Sequence, residues 1–181
     1  RPVARLHYYP ADNGSALDWV QVISHLAEKH SVKKILVWCG MIDHCLAMAK
    51  LWTAQARGRR WTVAVDTSDD SDGWASYDEF CAASDAAVLF CAAKHREGSD
   101  IPGLGMCVFV DGVARRGSAV FTQCAGRVLR KNKDGSPKPC GIVVDLKARD
   151  GLELCDRLGK YLQLPKGVLP WRAGKTACPT G

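Results

Sequence analysis

The sequence has no apolar run near the ~20 residues needed to cross a bilayer, and no charged-then-apolar leader opens it. The expectation is a chain without a membrane partner, in an intracellular location, either cytoplasm or nucleus. Its nine cysteines, at 39, 45, 81, 91, 107, 124, 140, 155 and 178, are odd in number and include no CxxC pair. Zinc ribbons and disulfide frameworks rest on close, paired spacings, so neither is expected and no metal site is assigned. Most of these cysteines lie within apolar runs (VWCG, LFCA, GMCVFV), where a thiol packs as a small hydrophobe, as suits a reducing compartment. Also missing are GxSxG, HExxH and any Ser-His-Asp grouping with local support; the five histidines are scattered. No internal repeat or low-complexity segment occurs.

What is present describes an ordinary folded domain. A chain of 181 residues with 47% hydrophobic residues can bury a substantial core as one domain. Twenty-five Lys plus Arg against nineteen Asp plus Glu leaves a net charge of +6, which favours a polyanionic partner only weakly.

Residues 1–14 read as a lead-in that ends in the turn signal Pro10-Ala11-Asp12-Asn13-Gly14. Ser15 can cap a helix through about His30, with Leu17, Val20, Ile23, Leu26 and Ala27 at helical spacing. ILVWC, too short and too rich in strand formers for a helix, predicts a strand that Gly40 ends, and a 3.6-residue period returns from Met41 to Gln55. Next come strand WTVAV, the acidic turn DTSDDSDG, helix WASYDEFCAAS, strand AAVLFCA, a loop at 92–105 and strand MCVFVDG. Helix 118–131, strand CGIVVDL and helix 150–162 complete the domain, taken as 15–164; residues 165–181, rich in Pro and Gly, read as a tail or linker. Strands apolar on both faces, alternating with helices, predict a doubly wound α/β domain whose mainly parallel sheet carries helices on both faces.

Two decoys fall away. Gly174-Lys175-Thr176 ends like a P-loop, but Leu169 stands where the first Gly belongs and no strand precedes it. The acidic turn has some EF-hand positions filled, but Ser68 replaces the first Asp and a strand, not a helix, enters it; it reads as a solvated turn capping a helix.

The informative stretch is 86–130. Gln123, Gly126, Arg127 and Arg130 form the pattern QxxGRxxR and share one face of a helix, which suits an oxyanion such as a phosphate. In open α/β sheets ligands bind beyond the carboxyl ends of the strands. Gly40, the REGSDIPG loop and the start of the QxxGRxxR helix are all expected there.

These residues carry a resemblance. REGSDIPGL followed by a strand, and then FTQCAGRVLR on a helix, resembles motifs V and VI of superfamily 2 helicases, and ILVWCG before an amphipathic helix resembles motif IV. The likeness spans about residues 33–145, in the family's order, with wording nearest the restriction-type and large-DNA-virus groups. It implies a C-terminal RecA-like lobe that works against an N-terminal RecA-like lobe of the same polypeptide. The first lobe holds most of ATP and Mg2+, and this chain alone holds no cofactor. Carried over by motif position, Arg127 and Arg130 are the motif VI arginines, with Arg130 as arginine finger, and Gln123 senses the γ-phosphate side. Asp100 and Gly98 are the motif V residues near ATP and the strand, while Gly40, Lys94, His95 and Arg96 are expected to contact a DNA or RNA strand. Two departures stand out: Ala92 where many members have Thr, leaving Lys94 or a backbone amide to make that phosphate contact, and Cys124 after Gln123 where several subgroups have Arg or His.

Two readings of different class follow: a helicase or translocase lobe inactive in ATP hydrolysis on its own, and a non-enzymatic RecA-like binding module. A domain for a small phosphorylated metabolite is weaker, since GxGxxG is missing.

Overall fold

A computed structural model describes residues 4–8, 19–56, 58–68, 73–92, 99–110, 123, 126–128, 130 and 141–145. In chain order these form β1 (Ala4–Tyr8), α1 (Trp19–Lys29), β2 (Lys34–Cys39), α2 (Ile42–Gln55), β3 (Thr62–Asp66), α3 (Tyr77–Ala82), β4 (Ala87–Ala92), β5 (Leu104–Phe109) and β6 (Gly141–Asp145). Gln123 and residues 126–128 are helical, within the span where the sequence predicts a helix.

The strands make one six-stranded sheet of order β1-β6-β5-β2-β4-β3, and every pairing is parallel. The chain starts the central part of the sheet with β2, crosses through α2 to edge strand β3, and returns through α3 to insert β4 beside β2. It then passes to the other side of β2 with β5 and β6. Because these two crossovers run in opposite directions, right-handed connections put α2 and α3 on opposite faces.

Side-chain alternation in β2 shows the consequence. Ile35, Val37 and Cys39 are buried in one core with α1 and α2, and Leu36 and Trp38 in another with Phe80 of α3 and Val128 of the later helix. Each large apolar side chain so buried contributes roughly 1.5–3 kcal/mol. On the α1/α2 side the core is strongly aromatic: Trp52 lies 5.8 Å from Trp19 and 5.0 Å from Trp61, ring centre to ring centre. On the other side Trp38 stacks on Phe109 at 5.2 Å. Lys34, although in a buried strand, donates from Nζ to the Cys81 carbonyl at 2.5 Å and so closes the last turn of α3.

Several expectations change. Residues 1–14, read as a lead-in, contain β1, which pairs along its length with β6. Its sequence ARLHY alternates apolar and polar residues rather than forming an apolar run, so it does not announce itself as the other strands do. α3 is shorter than WASYDEFCAAS suggested, because Ala75 bridges Ala64 in strand fashion and Ser76 then starts the helix. Ser76 and Glu79 form a capping box: the Glu79 amide donates to Ser76 Oγ at 3.2 Å, and the Ser76 amide donates to Glu79 Oε2 at 2.7 Å. The Ser76 amide, then its hydroxyl, donate to the Glu79 carboxyl and hold it below its usual range. The cap is Ser76, past the acidic turn, of which residues 69–72 lie outside the described residues. Residues 15–18, helix 150–162 and the tail lie outside the described residues.

Gly141, the first residue of β6, sets how close the helix of Val128 comes to the sheet. A β-carbon there would fall 2.7 Å from the Val128 carbonyl oxygen and 2.9 Å from its Cγ2. Gly105 is less constrained, since a β-carbon there would meet the Val32 side chain at 3.1 Å. We expect Gly141→Ala to cost about 1–3 kcal/mol, as overpacking does, and Gly105→Ala clearly less; urea denaturation of both variants measures the difference.

Candidate functional site

The DIPG sequence builds one half of the site. Ile101 is 7% exposed and packs in the core with Leu36, Phe80 and Val128. Pro102 and Gly103 then turn the chain into β5, and Gly103 sits at φ 71°, a left-handed conformation that glycine adopts without steric cost. Anchoring Ile101 fixes Ser99 and Asp100 just before it.

The second half comes from the helix of QxxGRxxR. Arg127 is 5% exposed, and its Nη1 donates to the Ser99 carbonyl. Its Nε is buried with no hydrogen-bond partner. Arg130, one turn on, remains exposed; its Nη1 donates to Asp100 Oδ1 at 3.2 Å and reaches the same Ser99 carbonyl at 3.5 Å. The two motif arginines therefore converge on the Ser99–Asp100 pair, one from inside and one from solvent. The two differ because Val128, beside Arg127, is anchored in the core, which carries the first guanidinium inward.

Tyr77, at the start of α3, completes this cluster and was not expected from sequence; an aromatic residue in WASYDEF gives no signal beyond packing. Burial, followed by a hydrogen bond with Cys81, pushes its phenol up to about 12, with Ser99 and the Arg127 charge opposing the shift. The group is therefore neutral across the physiological range, and it ties α3 to the Ser99 segment.

The remaining predicted residues divide. Gly40 is exposed directly after β2, and the neighbouring Met41, 70% exposed, caps α2 in extended conformation without a side-chain hydrogen bond. Gln123 is helical and exposed. Lys94, His95, Arg96 and Gly98 lie outside the described residues.

Topology separates the described parts of the three motifs. Gly40 follows the carboxyl end of β2. Leu104, three residues after Ile101, pairs with Lys34 at the amino end of β2, and Val128 rests on the first residue of β6. The Ser99–Asp100–Arg127–Arg130 cluster thus occupies the α3 face of the sheet, toward the amino ends, away from Gly40. Ser99 and Asp100 come shortly before Leu104, at the amino end of β5. Among the described residues no group of His, Cys, Asp and Glu could hold a metal ion, and no helix is long and apolar enough to cross a membrane.

No protein-family model matches the sequence, and a search of curated proteins finds no relative. Solved structures do match. The C-terminal domain of the DEAD-box protein Dbp5 is similar at TM-score 0.58 and 15% identity, over 88% of this chain and 85% of that one. Domain 2 of the DEAD-box helicase Mss116p, bound to an RNA duplex, gives 0.58 at 13% identity over 88% and 59%. The E. coli DExH-box NTPase HrpB gives 0.56 at 18% over 84% of this chain and 20% of that protein. This chain also covers 39% of S. cerevisiae Dbp5 bound to RNA and ADP BeF3. Its fold is that of the RecA-like C-terminal domains of such helicases.

Burial separates the two arginines in a measurable way. Arg127→Ala should lower stability by about 1.5–3 kcal/mol, the value of a hydrogen bond made by a charged group, whereas Arg130→Ala should change it by less than about 1 kcal/mol, as for exposed ion pairs; denaturant titration compares them. For Tyr77, phenolate absorbance lost in Tyr77→Phe should titrate near pH 12, against about 10 for an ordinary tyrosine. Because the folded-state value is raised, the stability this phenol contributes is present below the unfolded value and lost as pH climbs through the folded one.

Proposed function

We propose that this chain, with the fold of helicase C-terminal RecA-like domains, is the second lobe of an ATP-dependent nucleic-acid helicase or translocase. The observation that carries the reading is the convergence of Arg127 and Arg130 on Ser99 and Asp100. Residues read from sequence as motifs V and VI are neighbours on a fold in which such lobes are known. In this reading ATP and Mg2+ are held mainly by an N-terminal RecA-like lobe of the same polypeptide. Arg130 supplies the transition-state charge at the γ-phosphate: it is exposed, and its partner is an exposed carboxylate that a phosphate can replace. Gln123 lies one helical stretch earlier and faces solvent, as a γ-phosphate sensor requires.

Arg127 takes a different part. Held in the core by Val128 and bonded to the Ser99 carbonyl, it is a positioning residue that keeps the motif V segment beside Arg130. Asp100 and Gly98 complete the ATP side. Gly40, with Lys94, His95 and Arg96, serves a DNA or RNA strand, and Dbp5 and Mss116p with bound RNA support a strand as the partner. Separate placement of Gly40 and Arg130 fits this division, because strand and nucleotide then occupy different surfaces.

The inward turn of Arg127 favours the second reading, a binding module of the same fold that no longer takes part in hydrolysis.

In the enzyme that joins this lobe to a P-loop lobe, Arg130→Ala should reduce ATP turnover by roughly 10³ or more with nucleic-acid binding little changed; wild-type turnover in that variant decides for the module. The 181-residue chain alone should hydrolyse no ATP at a helicase-like rate, read by phosphate release. Titration of labelled single strands against it should show affinity falling steeply with salt, since phosphate contacts release counterions; a flat salt response excludes the strand as ligand.

A further inference from the structure

A cleft of about 480 Å³ lies on the α1/α2 side of the sheet, opposite the face that carries Arg127 and Arg130. One wall is a stripe of α1, Ser24, His25 and Glu28 among it, and the other is the turn from α2 to β3, with Gln55, Arg59 and Trp61. The α1 residues share a helix face through their three- and four-residue spacing.

Arg59 is the fixed element of the cleft. Its guanidinium carbon lies 4.3 Å from the centre of the Trp61 ring, and Nη2 donates to the Val32 carbonyl at 2.7 Å. Trp61 in turn meets Trp52 edge to face at 5.0 Å. A guanidinium held on an aromatic ring and tied at one nitrogen is a rigid, flat, delocalised cation at the cleft wall. Glu28 lies close enough to act electrostatically on Arg59, so cation and anion oppose one another across the cleft.

We propose that this cleft is a binding site for a nucleobase. The volume falls within the range of small-molecule sites, roughly 300–1,000 Å³. Nucleobases stack on guanidinium planes and present in-plane donors and acceptors at their edges. Here Arg59 gives the plane, His25 and Gln55 on the walls offer hydrogen-bonding groups for the ring edge, and Glu28 accepts from an exocyclic amine. The opposed charges of Arg59 and Glu28 leave little net attraction for a bare phosphate. The base belongs either to a free nucleotide or to an unpaired position of a nucleic-acid strand. The site does not depend on the role given above to Arg130.

The test is calorimetric titration of the full chain with uncharged nucleosides. Binding is expected for at least one of them. Arg59→Lys, which keeps the charge but loses the plane, should weaken it about tenfold, in line with the value of a stacked base. Ser24→Leu, which fills the cleft from a partly exposed helix position, should abolish it. Arg130→Ala, on the opposite face, should leave it unchanged, and circular-dichroism melting checks that each variant is folded. Competition identifies the source: displacement by a base-bearing single strand but not by an abasic one assigns a base within a strand, and displacement by mononucleotides alone assigns a free nucleotide. Absence of nucleoside binding at millimolar concentration, affinity equal in wild type, Arg59→Lys and Ser24→Leu, or equal competition by the abasic strand overturns the proposal.

Discussion

A parallel strand whose side chains alternate above and below its sheet is stable only if both faces are covered, and β2 imposes this condition on the whole chain. Ile35, Val37 and Cys39 need one helical layer, Leu36 and Trp38 another. The two crossovers meet the need by running in opposite directions from the same central strand. As a result the domain has chemically different sides: an edge where β2 ends in Gly40, a face where α3 and the QxxGRxxR helix bring arginines to a backbone carbonyl, and a second face where α1 and α2 enclose tryptophans and a polar cleft.

The sequence carried much of this openly. Runs such as ILVWC and AVLFCA mark buried strands because nothing but double burial tolerates so many consecutive apolar residues, and the fold class follows from their alternation with helices. β1 escaped notice since a strand with polar residues at every second position looks like ordinary chain until its partner β6 is seen. Within the site, DIPG and QxxGRxxR were each legible because both patterns are local. Their distance from Gly40 was not, for it depends on the register of β5 against β2. Tyr77 and the cleft were hidden for a related reason: each joins residues from separate elements, and neither element holds a recognisable pattern of its own.

Arg127 and Arg130 illustrate how one spacing yields two roles. Three positions apart, they share a helix face in projection, yet Val128 anchors one end of that face in the core and the other end stays in water. The buried guanidinium is bound to its surroundings by a carbonyl and by low dielectric, where exchange of partners is costly. The exposed one trades an aspartate for any other anion at little expense. Fixed and exchangeable cations side by side give the site both a reference point and a mobile contact.

The contact between Gly141 and Val128 bears on mechanics. There backbone nearly meets backbone, with no side chain between to compress, and well-packed interiors yield little under load. A pull on Arg130 is therefore delivered to β6 and, through the ladder, to the strands beyond it. Helix and sheet are joined there as one stiff unit.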